Sequence, residues 1–254
     1  IRAVDGISLK VFPGETFGLL GPNGSGKTTT IRILNGIIKP SSGRAMVNGF
    51  DVQTHANEVK RSTGLLAESP GLYEKLSPAE YLEFVGSLYD VPRGLLSNRV
   101  DRLLSMFNLG DRKSDLLEGF SRGMKQKVLL AAALVHDPPI IFLDEPTSAL
   151  DPRASLVVRD LIKDLSSKAE KTVFVSSHIL PLMEEVWTVA MQCASGRGVR
   201  SYRHNNLGRV AAVGTVAELM AQTGTSSLEE AFIQCTGGQE RTDTLSWRKV
   251  FAES

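Results

Sequence analysis

Two rhythms organise the apolar residues of this chain. Short continuous runs, "TFGLL" at 16–20, "IIFL" at 140–143 and "TVFVSSH" at 172–178, predict strands, and the run from Ile140 to Leu143 predicts one buried on both faces. Other stretches repeat at helical spacing. "TTTIRILNGII" at 28–38 puts Ile31, Leu34, Ile37 and Ile38 on one helical face, and "PAEYLEFVGSLY" at 78–89 does so with Tyr81, Phe84, Val85 and Leu88. Ser77, Pro78 and Glu80 supply an N-cap, a first-turn proline and a capping-box partner for the second of these. A third helix is predicted through "VLLAAALV" at 128–135, and a further capped one at "SSLEEAF". Strands and helices mixed in this way predict an α/β fold.

The junction between the first strand and the first helix reads "GPNGSGKT", which matches G-x-x-x-x-G-K-[ST] from Gly21 to Thr28. Glycines there let the backbone wrap a phosphate chain and aim its N–H groups inward, and the helix that follows adds its positive end. Gly21, Pro22, Asn23, Gly24, Ser25, Gly26, Lys27, Thr28 and Thr29 are therefore the candidate nucleotide-binding residues. Lys27 is expected to reach the β- and γ-phosphates and the Thr28 hydroxyl to bind Mg²⁺. A chance match to this pattern arises on the order of once in a hundred chains of this length. The strand before it and the helix after it are the context that a phosphate cradle has and a chance match lacks.

Residues 138–151 read "PPIIFLDEPTSALD". Asp144 follows the apolar run, at the carboxyl end of its strand, where open α/β sheets place their ligands. One carboxylate there suits Mg²⁺, which takes few protein oxygens. Glu145 is positioned to orient and deprotonate an attacking water. A solvated strand end would also read "DE"; the phosphate loop upstream is what favours chemistry. The guanine-reading tetrapeptide N-K-x-D is absent, and a Glu directly after the metal Asp favours hydrolysis over phosphoryl transfer to another substrate.

Composition narrows the partners. Lys and Arg number 29 against 28 Asp and Glu, so no strong field points to nucleic acid. Two cysteines are too few for a disulfide framework and fit a reducing compartment. The apolar runs fall well short of the ~20 residues that span a membrane. The chain begins at Ile1 with no signal-peptide pattern, and the expectation is a soluble intracellular protein.

Three motifs in order, "GPNGSGKT", "FSRGMKQK" at 120–127 and "IIFLDEPTSALD", resemble those of the nucleotide-binding subunits of ATP-binding cassette (ABC) transporters, in particular the bacterial two-component exporters of the drug, sodium and gliding group. The resemblance implies a P-loop NTPase with a RecA-like core, an antiparallel β subdomain and an α-helical subdomain. It implies a core of residues 1–72 and 138–216, a helical arm of 73–137, and a C-terminal helix and tail at 217–254. It implies ATP and Mg²⁺ as ligands, a second ATPase subunit, a membrane permease as partner, and a place at the cytoplasmic face of the cell membrane. "FSRGM" stands where the family's L-S-G-G-Q signature lies. Ser121 and Gly123 match it, while Phe120, Arg122 and Met124 depart from it. Ser121 is also a good N-cap for the helix that follows. The resemblance implies that this loop closes over the γ-phosphate held by the second subunit. Asp151, in "SALD", falls at the family's dimer seam, His178 matches its switch histidine, and Glu68 stands where most relatives carry a metal-contacting glutamine. A carboxylate there can hold a magnesium-bound water but cannot donate a hydrogen bond as an amide does.

Two stretches depart from the pattern. The family's base-stacking aromatic would precede Ile1, so ATP rather than GTP rests on the resemblance. Residues 187–207, "WTVAMQCASGRGVRSYRHNNL", are locally basic and about twice the family's length; they offer a nucleic-acid or lipid-headgroup patch, an insertion or a frame slip, and the expectation is one of the last two, a segment that can be cut back without loss of activity. In the tail, Leu245, Trp247, Val250 and Phe251 offer either a weak amphipathic helix or a frayed end. The rival reading is a soluble cassette protein with a regulatory role on ribosomes or DNA. No second phosphate loop and no sustained heptad is present to support it. Cargo and the identity of the second subunit are not legible in the sequence.

Overall fold

The computed structural model describes residues 2–68, 71–148, 150–168, 170–178, 188–192 and 208–236. The apolar runs become the centre of a six-stranded sheet: β1 (Thr16–Leu20), β4 (Thr63–Leu66), β5 (Ile140–Asp144), β6 (Thr172–Ser177), β7 (Thr188–Gln192) and β8 (Val210–Gly214), in the order β4-β5-β6-β1-β7-β8. All neighbours are parallel except β7 and β8. A separate two-stranded antiparallel hairpin, β2 (Met46–Val47) with β3 (Phe50–Asp51), is the extent of the antiparallel subdomain among the described residues.

Alternation within the strands divides the core in two. Phe17, Leu19, Phe142, Phe174 and Ala190 face one side, with Ile31 of α1 (Lys27–Leu34), Val59 of α2 (Ala56–Ser62) and Val47 of the hairpin. Phe174 stacks on Phe17 at 5.1 Å between centroids and tilts against Phe142 at 5.5 Å. Leu20, Leu66, Ile141, Leu143, Val173, Val175, Val189 and Met191 face the other side. There they meet α5 (Arg122–Leu134), α6 (Pro152–Ser167), α7 (Val216–Thr223) and α8 (Leu228–Thr236). A parallel sheet covered on both faces explains why its strands read as continuous apolar runs.

Between β4 and β5 the described residues form only helices and short 3₁₀ turns: α3 (Pro78–Leu88), α4 (Arg93–Met106) and α5. The Ser77–Glu80 capping box is made, with Glu80 N–H donating to Ser77 Oγ at 3.3 Å and Ser77 N–H to Glu80 Oε2 at 2.8 Å. The buried face of α3 differs from the expected one. Tyr81 and Leu82 are buried and Val85 packs on the core, but Phe84 and Leu88 are 39% and 64% exposed. Leu96 of α4 reaches the space above Gly86 and so rotates the contact face toward Leu82 and Gly86.

The first helix also ends earlier than its apolar spacing suggests. Gly36 takes φ +62°, and its N–H donates to Ile33 O at 3.0 Å while Ile37 N–H donates to Arg32 O at 2.9 Å. This pair of bonds is a Schellman stop, and it leaves Ile37 and Ile38 exposed beyond the helix. A larger correction falls on 187–207. Residues 188–192 are not part of a dispensable insertion: they are β7, with Val189, Ala190 and Met191 fully buried between β1 and β8. Trp187, residues 193–207 and the tail with Leu245, Trp247, Val250 and Phe251 lie outside the described residues. Among the described residues no helix is long and apolar enough to cross a membrane.

Candidate functional site

The loop after β1 enters α1 through two backbone positions that favour glycine, Gly24 at φ +80° and Gly26 at φ +100°. Gly26 occupies the N-cap position without a side-chain cap, so the first N–H groups of α1 stay open to a ligand. A cleft of about 210 Å³ lies over this turn, lined by Ala3, Asn23, Gly24, Gly26, Lys27, Thr28, Thr29, Glu68 and Glu145. Residues from four separate parts of the chain thus meet at one cradle. Gly21, Pro22 and Ser25 belong to the same loop but do not line the cleft. The Ser25 hydroxyl is buried and has no hydrogen-bond partner among the described residues.

Lys27 is buried and well held. Its ammonium donates to Gly21 O at 2.8 Å and Pro22 O at 3.2 Å, and lies 3.3 Å from Glu145 Oε1. The other Glu145 oxygen is 2.9 Å from His178 Nδ1, at the end of β6. Glu145 itself adopts φ +51°, a region uncommon outside glycine, asparagine and aspartate. Asp144 ends the strand and Glu145 leaves it through this turn, so the two carboxylates take different paths. Asp144 is buried at the strand end and accepts a hydrogen bond from Ser176 Oγ at 2.5 Å.

Thr28 Oγ1 stands 3.4 Å from Glu68 Oε2, so the two oxygens assigned to a metal do share one wall of the cleft. Among the described residues no three His, Cys, Asp or Glu side chains form a metal cluster. Mg²⁺ needs less: one or two carboxylates beside phosphate oxygens. Thr28, Glu68 and Asp144 are hard oxygen donors and fit that ion.

Ser121, Gly123 and Asp151 do not line this cleft. Ser121 caps α5, accepting from Met124 N–H at 3.3 Å, and is exposed. Asp151 caps α6, accepting from Ala154 N–H at 2.9 Å, and this bond holds its carboxyl below the ordinary carboxylate value. The departures in the signature stretch have a local partner. The Arg112 guanidinium lies over the Phe120 ring at 4.8 Å and donates to Met124 Sδ at 3.5 Å.

Two site residues escaped the sequence reading. Ser176 bonds Asp144 and receives Glu145 N–H at 3.2 Å. Gln126, buried in α5, donates to Pro146 O at 3.2 Å and ties α5 to the turn after β5. A place two residues before His178 is the only cue to the first, and nothing local marks the second.

Residues 4–148 match the ABC transporter family. The chain is 42% identical over 188 residues to an uncharacterised ABC transporter ATP-binding protein of Nostoc sp., covering 73% of this chain and 55% of that one. It is 37% identical over 223 residues to the daunorubicin resistance ATP-binding protein DrrA3 of Streptomyces coeruleorubidus, covering 88% and 66%. The chain therefore spans about half to two thirds of the length of these relatives. A solved structure of an ATP-binding subunit of an ABC transporter superposes with a TM-score of 0.80 at 30% identity, covering 92% of this chain and 93% of the other. Both the phosphate-loop sheet with its helical part and these matches lead to one conclusion: the chain belongs to the ABC transporter family, as an ATP-binding subunit with the ABC ATPase fold.

Proposed function

We propose that this chain binds MgATP in the cleft above α1, hydrolyses it, and works as one of two ATPase subunits that drive export through a separate membrane permease. The observation that carries the reading is the linked set Lys27, Glu145 and His178, the first two of which line the cleft over the phosphate loop. A phosphate chain in that cradle competes for the Lys27 ammonium with the carbonyls of Gly21 and Pro22. Glu145 then acts on water: the water oxygen bonds the γ-phosphorus, the bond from phosphorus to the bridging oxygen breaks, and the Glu145 carboxylate takes the proton. His178 orients Glu145 and contacts the γ-phosphate. Thr28, Asp144 and Glu68 would hold Mg²⁺, which would supply positive charge to the phosphates.

The exposed cap at Ser121, with Gly123, meets the γ-phosphate held by a second subunit, and Asp151 lies at the seam between them. An anion at the start of α5 gains from the free N–H groups and the helix dipole. In this reading residues 1–72 and 138–216 are the nucleotide core, 73–137 the arm that meets the permease, and 217–254 an appended C-terminal region. Binding to a permease holds the chain at the cytoplasmic face of the membrane. The relative named for daunorubicin resistance supports outward transport. Phosphate release by wild-type protein and by Glu145→Gln tests the chemistry: wild-type turnover with near-complete loss in the variant is expected, and equal turnover in both would reject Glu145 as the base.

A further inference from the structure

We infer that Ser176 is a positioning residue for both acids of this site, its single hydroxyl joining the Asp144 carboxylate to the Glu145 backbone. The inference rests on the ATPase reading above. Strand β6 lies between β5 and β1, so its carboxyl end is the one place in the sheet that borders both the acids and the phosphate loop. Ser176 pairs in register with Asp144. The next carbonyl, that of Ser177, accepts the N–H of Gly21 at 3.3 Å.

Ser176 is 0% exposed in a strand whose preceding residues are Val173, Phe174 and Val175. A hydroxyl so placed is costly unless bonded, and alanine would fill the same strand position without that cost. Both of its bonds go to the acids. Oγ donates to Asp144 Oδ1 at 2.5 Å and accepts Glu145 N–H at 3.2 Å. The same N–H also lies 3.1 Å from the Ser176 carbonyl, so Ser176 alone holds the backbone entry to the φ +51° turn at Glu145. Glu145 N–H, Ser176 O–H and the Asp144 carboxylate form a continuous hydrogen-bonded chain, in which each bond polarises the next. The hydroxyl sets the rotamer of the metal acid and the angle of the turn that aims the base. It touches neither substrate nor metal itself.

The test compares Ser176→Ala, Ser176→Cys and Ser176→Thr. Cysteine keeps nearly the volume but donates poorly, and threonine keeps the hydroxyl. Turnover, thermal midpoint and affinity for a fluorescent ATP analogue, in EDTA and in Mg²⁺, are measured on the full chain. Alanine and cysteine should lower turnover about 10- to 100-fold, the range for residues that orient metal ligands. They should also shrink the gain in analogue affinity on adding Mg²⁺, while affinity in EDTA stays near wild type; the thermal midpoint should fall somewhat, because the buried Asp144 carboxyl loses its donor. Threonine should restore turnover. Wild-type turnover and Mg²⁺ gain in Ser176→Ala would overturn the inference, as would a loss of EDTA affinity in step with turnover. Lys27→Ala, measured alongside, reports on the underlying reading: equal analogue binding by it and by wild type would reject the nucleotide site and not the role of Ser176.

Discussion

The Lys27 ammonium lies 3.3 Å from Glu145 Oε1, with the two side chains only 6% and 5% exposed. A buried pair gains little over apolar packing, but removing one partner strands the other charge at a cost of about 3–5 kcal/mol. Lys27→Ala should therefore lower turnover by about 10²–10³-fold through lost phosphate stabilisation and also lower the melting temperature. Adding Glu145→Gln to it should recover part of that stability while restoring no turnover. Thermal unfolding of the two single variants and the double variant checks the coupling; additive losses would mean the pair is not energetically linked.

Glu145→Gln keeps shape and removes the base, so MgATP should accumulate in the closed assembly. Light scattering should read a doubled mass on adding MgATP and a monomer without it. A monomer that still binds ATP would point to a different chain as the second subunit.

Ser121→Ala separates two roles of one hydroxyl. As the cap of α5 it contributes about 1 kcal/mol, a small shift in melting temperature. If its helix start meets a γ-phosphate across a dimer, turnover should fall far more than that stability change explains. Phosphate release and thermal unfolding on the same preparation decide between them.

His136 predicts an acid-sensitive junction between the arm and the sheet. Its ring stacks on Tyr89 at 3.6 Å and lies 3.1 Å from Thr63 O through Nε2, so that nitrogen carries the proton, while buried Nδ1 has no partner among the described residues. Burial pushes its pKa below the ordinary 6.5, against the smaller raising effect of the Thr63 bond. The native ring stays neutral as the unfolded chain takes up a proton, so stability falls as pH drops below about 6.5. The decline in melting temperature from neutral pH to about pH 5 should be shallower in His136→Gln.

Gly64 on β4 lies under α5 so closely that a Cβ there would sit 2.0 Å from Ala133 O and 2.9 Å from Pro138 Cγ. At Gly86 the nearest obstacle is the flexible end of Leu96, at 2.4 Å. Gly64→Ala should cost about 1–3 kcal/mol or more, as overpacking does, and exceed Gly86→Ala, because a backbone carbonyl cannot turn aside. Equal losses in denaturant titrations would show that α5 can shift.

Motifs built from neighbouring residues were readable in the chain. The phosphate loop, the Ser77–Glu80 capping box and the cap at Ser121 need only local geometry, because their partners lie within a few residues. The three short apolar runs were legible for a different reason: a strand buried on both faces shows its burial in every residue. Where the reading slipped, a neighbour distant in sequence had decided the outcome. Leu96 turned the face of α3, and pairing with β1 and β8 made "TVAMQ" a core strand inside a stretch that reads as an insertion. Ile37 and Ile38 are the exception, a local stop at Gly36 that apolar spacing outweighed.

The chemistry of the site was therefore written locally, as glycines, a lysine, two adjacent acids and a histidine in recognisable order. Its assembly was not. Only the strand order brings β6 between the acids and the phosphate loop, lets Ser176 bond Asp144 across 32 residues, and lets His178 reach Glu145 across 33. Hydrogen bonds act over about 3 Å, while the chain separates these partners by whole helices, so sheet register and not residue spacing sets which side chains meet.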